Sequence, residues 1–310
     1  MSRTRVFLFG WSFALLLTAA GARSDEPAVT TANGEEPSKT AFLRLARDAQ
    51  GRPTALQTAI VRYEACDAEQ EGLFVDLIAA VHVGEKEYYA ALNDEFERYD
   101  GLLYELVAPE NTRPKQGERS DHPVSKLQSG LKSLLALDFQ LDDIDYGKAN
   151  LIHADMSPDD FAKSMAERGE SIWTILFRVL EQAMAKQGKQ ADGSAEARLL
   201  VSLFSNDRAV KMKCLLAEQF EDLEGAMAAL SGPDGSTLIT ERNKKALSVL
   251  RREIEAGKKG LAIFYGAGHM DDMSQRLTAE FDLERKETRW VTAWDLRSKS
   301  AKKKAAAAAD

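Results

Sequence analysis

The chain has 310 residues, 44% of them hydrophobic and 29% charged, which excludes a wholly disordered polypeptide and leaves room for one large domain or two small ones. Its 41 basic and 49 acidic residues give a formal charge of −8, which argues against a general nucleic-acid binder. Two cysteines exclude a disulfide-rich scaffold and a four-cysteine zinc ribbon.

The first 22 residues follow the three-part grammar of a secretory signal peptide. Arg3 and Arg5 open it, an uncharged apolar run continues from Val6 to Ala20, and small residues precede a cleavage point after Ala22. The run is shorter than the ~20 apolar residues of a membrane-spanning helix, and no later stretch approaches that length, so no transmembrane span is expected after cleavage. Loss of Arg3 and Arg5 leaves a mature chain of net charge −10. Export, to a periplasm or to the medium, allows Cys66 and Cys214 either to pair or to remain as two separate thiols. Residues 23–40 are polar, contain two prolines and read as a flexible linker.

Strand and helix then alternate. Thr58–Tyr63 and Leu73–His82 are apolar, β-branched runs of strand length. Glu85–Arg98 carries Tyr88, Tyr89, Leu92 and Phe96 at helical spacing, and Gly101–Val107 is another apolar strand. Together these form a strand–helix–strand unit, which implies parallel strands. Residues 110–125 read as a loop and 126–256 as a large, mainly helical insertion, with a short extended piece at Asn150–His153. Ser157-Pro158-Asp159-Asp160 opens a helix with a cap residue, proline at the first position and acid in the first turn. Ser171–Lys186 and Asp207–Leu230 continue the helical pattern, Ser231–Gly235 breaks it, and Thr240 starts a helix ending at Gly257. Gly260–Tyr265 is a buried-type strand, Gly266–His269 a tight turn, Met270–Phe281 a helix and Thr288–Leu296 a last strand. The expected fold is α/β: one domain over 41–297, its central sheet mostly parallel and built from two βα halves that flank the helical insertion, followed by a Lys/Ala-rich disordered tail over 298–310.

Two places share one layout, in which an apolar strand leads through small residues to a histidine and then a helix. They are Ala79-Ala80-Val81-His82 and Gly266-Ala267-Gly268-His269. Groups just past the carboxyl ends of strands gather in one crevice of an open α/β sheet, so both imidazoles are expected to face one cleft. The glycines before His269 permit a sharp turn and close approach of a ligand. Glu105 stands in the apolar run Leu102–Val107, where a carboxylate needs a metal or an ion-pair partner such as Arg242, near the start of the helix that leads into the second histidine strand. Asp76 is a weaker instance of the same anomaly. His153 and Asp155 form a second pair, read either as a site or as a strand end and a helix start. His122 lies in a charged loop. Two neutral imidazoles and a carboxylate suit a divalent ion, with zinc fitting by ligand type and manganese or cobalt also allowed. HExxH, GxSxG, Walker A and CxxC motifs are all absent.

These pieces in order, AAVH82, LLYELV with Glu105, Glu241-Arg242-Asn243 and GAGH269, resemble the TraB/TIKI superfamily, which takes in TraB/GumN-like, erythromycin-esterase-like and ChaN-like proteins. The family pattern has two GxxH motifs with a glutamate and an arginine between them. The second motif matches, and the first departs by carrying Ala79 in place of glycine. The resemblance implies an α/β fold with a cleft between its halves. It also implies a site of His82, Glu105, Arg242 and His269, acting in TIKI-like members as a metal-dependent protease and in others as an esterase. In that site His82 and His269 hold a metal, Glu105 is a third ligand or the general base, and Arg242 stabilises an oxyanion on a peptide or small ester substrate. ChaN-like members bind haem iron, which makes a haem or iron-binding module the alternative. A non-catalytic envelope interaction protein is the third reading.

Overall fold

The computed structural model describes residues 42–67, 70–115, 135–171, 207–221 and 235–298. The signal segment 1–22, the linker 23–40, His122 and the tail from 299 lie outside them, as do the Ser171–Lys186 helix beyond its first residue and Asp207–Leu230 beyond Glu221.

In chain order the elements are β1 (Leu43–Arg47), β2 (Pro53–Ala65), β3 (Phe74–Ala80), β4 (Val83–Gly84), α1 (Lys86–Phe96), β5 (Gly101–Tyr104), β6 (Asp138–Phe139), α2 (Gln140–Asp143), β7 (Leu151–His153), α3 (Pro158–Glu167), α4 (Arg208–Glu221), a π-type turn (Thr237–Glu241), α5 (Arg242–Glu255), β8 (Gly260–Gly266), a 3-10 turn (Ala267–His269), α6 (Met270–Phe281) and β9 (Leu283–Asp295). One seven-stranded sheet organises them. β2 runs antiparallel to β1, β3 and β9, and β3, β8, β5 and β7 are successively parallel, so β2 alone opposes the common direction. The α/β class with a mostly parallel sheet is the architecture.

Three details differ from the sequence reading. The strand–helix–strand unit β3–α1–β5 has parallel strands, but they are not neighbours, because β8 is inserted between them. Residues 138–139, inside the segment read as a mainly helical insertion, form a short strand, while the extended piece expected at Asn150–His153 is the strand β7. The β1–β2 hairpin, turned by Gly51 at φ +75° and by Asp48 accepting from the backbone N–H groups of Gln50 and Arg52, has no counterpart in the sequence reading either.

All seven residues of β8 are buried, which a strand achieves only with neighbours on both edges and helices on both faces. Ala262 and Phe264 face one core with Ile78, Tyr88, Tyr89, Leu92 and Phe96, on the α1 side. Leu261, Ile263 and Tyr265 face the other with Leu77, Leu250, Met273 and Leu277, on the α5 and α6 side. Each fully buried aliphatic or aromatic side chain contributes roughly 1.5–3 kcal/mol, so this central ladder is where the fold gains most. Ala79, where the resembled family has glycine, puts its methyl into the second core within β3; the turn to His82 starts after Ala80 and needs no glycine at 79. Cys66 and Cys214 are separate thiols, exposed and half-buried respectively. Among the described residues no helix is long and apolar enough to cross a membrane.

Candidate functional site

The four parallel strands end in register. Ala80 of β3 stands opposite Gly266 of β8, and Tyr104 of β5 stands between Phe264 of β8 and His153 of β7. Beyond these ends lie His82 after β3, the turn carrying His269 after β8, Glu105 after β5 and Asp155 after β7. Because β8 sits between β3 and β5, a histidine 187 positions away in sequence is delivered between His82 and Glu105. Glu105 is therefore not inside a strand. It is the first residue beyond β5, where its backbone N–H still donates to the Phe264 carbonyl at 3.2 Å.

Gly266 marks the point of convergence. A Cβ placed on it would lie 3.3 Å from Glu105 Oε2, 3.6 Å from His82 Nε2 and 3.9 Å from His269 Cδ2. Its φ of −54° is open to any residue, and no glycine of the turn adopts positive φ. Space in front of Gly266, and not a sharp turn, is what glycine supplies here.

Glu105 is held on both oxygens: Gly266 N–H donates to Oε2 at 2.7 Å and Arg242 Nη2 to Oε1 at 2.6 Å. Burial raises its pKa, yet the Arg242 charge, the two imidazoles and the Gly266 N–H overcome that and hold the carboxyl well below the usual carboxylate range. Arg242, only 6% exposed, forks onto Asp155, with Nε at 3.0 Å from Oδ1 and Nη2 at 2.6 Å from Oδ2. Burial works to lower the Arg242 pKa, but the Asp155 and Glu105 carboxylates lift it well above its ordinary value. One guanidinium thus serves two carboxylates, and Glu105, Asp155 and Arg242 together carry one net negative charge.

His269 is 5% exposed. Its Nε2 lies 3.6 Å from Glu105 Oε1 and 3.4 Å from Arg242 Nη1, while its Nδ1 meets Asn243 Oδ1 at 2.7 Å. Burial first, and then the Arg242 charge, push its pKa down to about 4 against the pull of Glu105, so the ring is neutral at neutral pH. Tyr265 packs edge-on to it at 5.2 Å between ring centres. His82 is the exposed partner, with its Nδ1 3.2 Å from Gln140 Oε1. One imidazole therefore meets solvent and the other forms the floor.

The sequence-derived residues His82, Glu105, Arg242 and His269 are thus brought together. Asp155, read there as an alternative helix-start residue, joins them as the anchor of Arg242. The signal that could have found it is its place just past the end of a strand, the position shared by the others. Gln140 and Asn243 were not singled out as contacts of the histidines; Asn243 follows Arg242 directly, whereas nothing local marks Gln140. His153 stands apart: its Nε2 donates to the Leu106 carbonyl at 2.6 Å and its ring packs on Tyr104, a structural role. Asp76 is also structural. It lies near the start of β3, away from the carboxyl ends, held by Arg62 at 2.9 and 3.0 Å and by Tyr99 Oη at 2.8 Å.

The donor types, two imidazoles and a carboxylate around a side-chain-free gap with a residual negative charge, suit a divalent cation. Among the described residues no three His, Cys, Asp or Glu side chains are already drawn together as a metal-holding group, and Arg242 reaches both Glu105 and His269. No protein-family model, curated protein or solved structure matches the chain.

Proposed function

We propose that the chain is an exported hydrolase of peptide or ester bonds, working with a divalent metal at the His82–Glu105–His269 centre in the manner of the TraB/TIKI superfamily it resembles. The observation that carries this reading is the convergence of His82 Nε2, His269 and Glu105 Oε2 around the position that a side chain on Gly266 would occupy. His82, His269 and Glu105 would hold the ion. When bound, it supplies a water of lowered pKa and polarises the scissile carbonyl.

The chain's own groups then divide the remaining work. Glu105, held far below the usual carboxylate range, is a poor general base at neutral pH and serves as an anionic holder. His269 is neutral and buried, so it too holds and does not shuttle protons to water. His82, exposed at the mouth, meets the substrate. Arg242 spends Nε and Nη2 on Asp155 and Glu105, and its Nη1 makes only long contacts, 3.4 Å to His269 and 3.5 Å to the Leu238 carbonyl. That edge is the one left to face a developing oxyanion. To hold an ion, His269 Nε2 would have to give up its 3.4 Å contact with Arg242 Nη1.

The form to assay is the mature chain beginning at Arg23, the product of cleavage after Ala22. Casein and simple esters, offered with Mn²⁺, Co²⁺ or Zn²⁺, are expected to be hydrolysed by the wild type and spared by His82→Ala and His269→Ala. Hydrolysis that persists undiminished in His82→Ala, a change at an exposed position, sinks the reading. A Soret shift on haem titration without any hydrolysis replaces it with haem binding.

A further inference from the structure

We propose that Gln140 and Asn243 are the positioning residues of this centre, each fixing one histidine with its proton on Nδ1 and its Nε2 lone pair bare toward Gly266. The two grips are alike. Gln140 donates its backbone N–H to the His82 carbonyl at 3.0 Å and offers Oε1 to His82 Nδ1 at 3.2 Å. Asn243 donates Nδ2 to the His269 carbonyl at 3.0 Å and offers Oδ1 to His269 Nδ1 at 2.7 Å. Each histidine is held at once by its main chain and by its ring.

The proton positions follow from which atoms can donate. Asn243 Nδ2 spends its hydrogens on the His269 carbonyl and on Asp272 Oδ2 at 2.8 Å, so the amide atom facing the ring is the oxygen. An amide oxygen only accepts, so His269 Nδ1 must carry the hydrogen. The other edge of the ring gives the same answer independently: Arg242 Nη1 only donates, so the Nε2 it faces must accept. At His82 the Gln140 amide nitrogen lies 2.9 Å from Tyr146 Oη, a hydroxyl able to donate or accept; with the nitrogen donating there, the orientation proposed here, the amide oxygen accepts from Nδ1. A neutral imidazole has one N–H, and the hydrogen bond at one nitrogen sets the state of the other. Both Nε2 atoms are therefore bare, which is the state a metal ligand requires, and a ring N–H held by a fixed acceptor is the usual support of such a ligand.

The fold builds each grip with an element that lies beside its histidine. The two-residue pair β4–β6 lies directly after His82 and directly before Gln140, and its pairing of Val83 with Phe139 sets one residue against the other. At the opposite wall the first turn of α5 presents Arg242 to the Nε2 edge of His269 and the next residue, Asn243, to its Nδ1 edge.

The tautomer is read by ¹⁵N NMR on metal-free mature protein labelled at histidine, at about pH 8, above the ordinary histidine pKa of about 6.5. His82 and His269 are expected to show a protonated Nδ1 and a bare Nε2. His153, whose Nε2 donates to Leu106, supplies the opposite pattern as an internal contrast. Gln140→Leu is expected to move His82 alone toward protonation at Nε2 and to weaken Co²⁺ binding about 10- to 100-fold, whereas Gln140→Glu, which keeps an acceptor, restores the wild-type pattern. A bare Nδ1 on His82 or His269 in the wild type overturns the proposal without any variant, and so does an unchanged His82 in Gln140→Leu. The Co²⁺ measurement rests on the metal-hydrolase reading and the tautomer measurement does not. Protonated Nδ1 on both rings with no Co²⁺ binding by the wild type supports the assignment and removes the metal reading alone.

Discussion

His269 shows what burial does to a single side chain. Its pKa of about 4 lies below the ordinary value near 6.5, so the unfolded chain binds a proton that the folded chain refuses between those limits. Stability must then rise with pH through that window. Its contribution is complete above about pH 6.5 and drains away as pH falls toward about 4. Between pH 7 and pH 5 the loss assigned to this ring is about 2 kcal/mol. Urea unfolding at the two pH values measures it, and His269→Gln is expected to flatten the difference. Glu105 is displaced downward as well, so its stabilisation fades in the same direction, but only once the pH falls below the ordinary carboxylate value. Residue-level reading of the sequence located Glu105, Arg242 and both histidines, because a charge beside an apolar run and a histidine after one are local anomalies. It could not see that Arg242 also anchors on Asp155. That fork joins residues 87 positions apart, and no local pattern records it.

At the scale of elements, α3 behaves as its opening four residues suggest. Ser157 accepts the Asp160 backbone N–H at 3.1 Å, Pro158 takes the first position, and Phe161 and Met165 turn inward. The helix starts three residues after Asp155, whose Oδ1 also takes the Met156 N–H at 2.7 Å, so the cap and the anchor of Arg242 share one turn of chain. Ser157→Ala is expected to lower stability by about 1 kcal/mol, and Ser157→Gly by only a few tenths. Urea midpoints at unchanged m-value measure both, and equal losses in the two variants would argue against the cap. Helices and long apolar strands were legible because their periodicities of 3.6 and 2 are local. The two-residue β4 and β6 were not, since a pair so short has no period to detect and exists only through its partner.

The whole molecule turns on the placement of β8 between β3 and β5. A parallel strand delivered from near the end of the chain closes the centre of the sheet, so the ladder there depends on contacts of long sequence separation. Hydrogen exchange is expected to find the β8 amides of Leu261–Tyr265 and those of β3 the slowest of the described residues, with β1 and β7 faster at the periphery. Exchange of β8 ahead of β1 would contradict this arrangement.

The amino-acid sequence by itself determined the α/β class, most of the helices and strands, and which polar residues stand at strand ends, because each of these depends on a few neighbouring side chains. Only the tertiary structure decided that β8 parts β3 from β5, that Gly266 matters for the space before it, and that Asp155, Gln140 and Asn243 fix the orientation of Arg242 and the two imidazoles. Strand order and side-chain hydrogen bonds are set by contacts between residues far apart in the chain, and those contacts come into being only when the sheet is assembled.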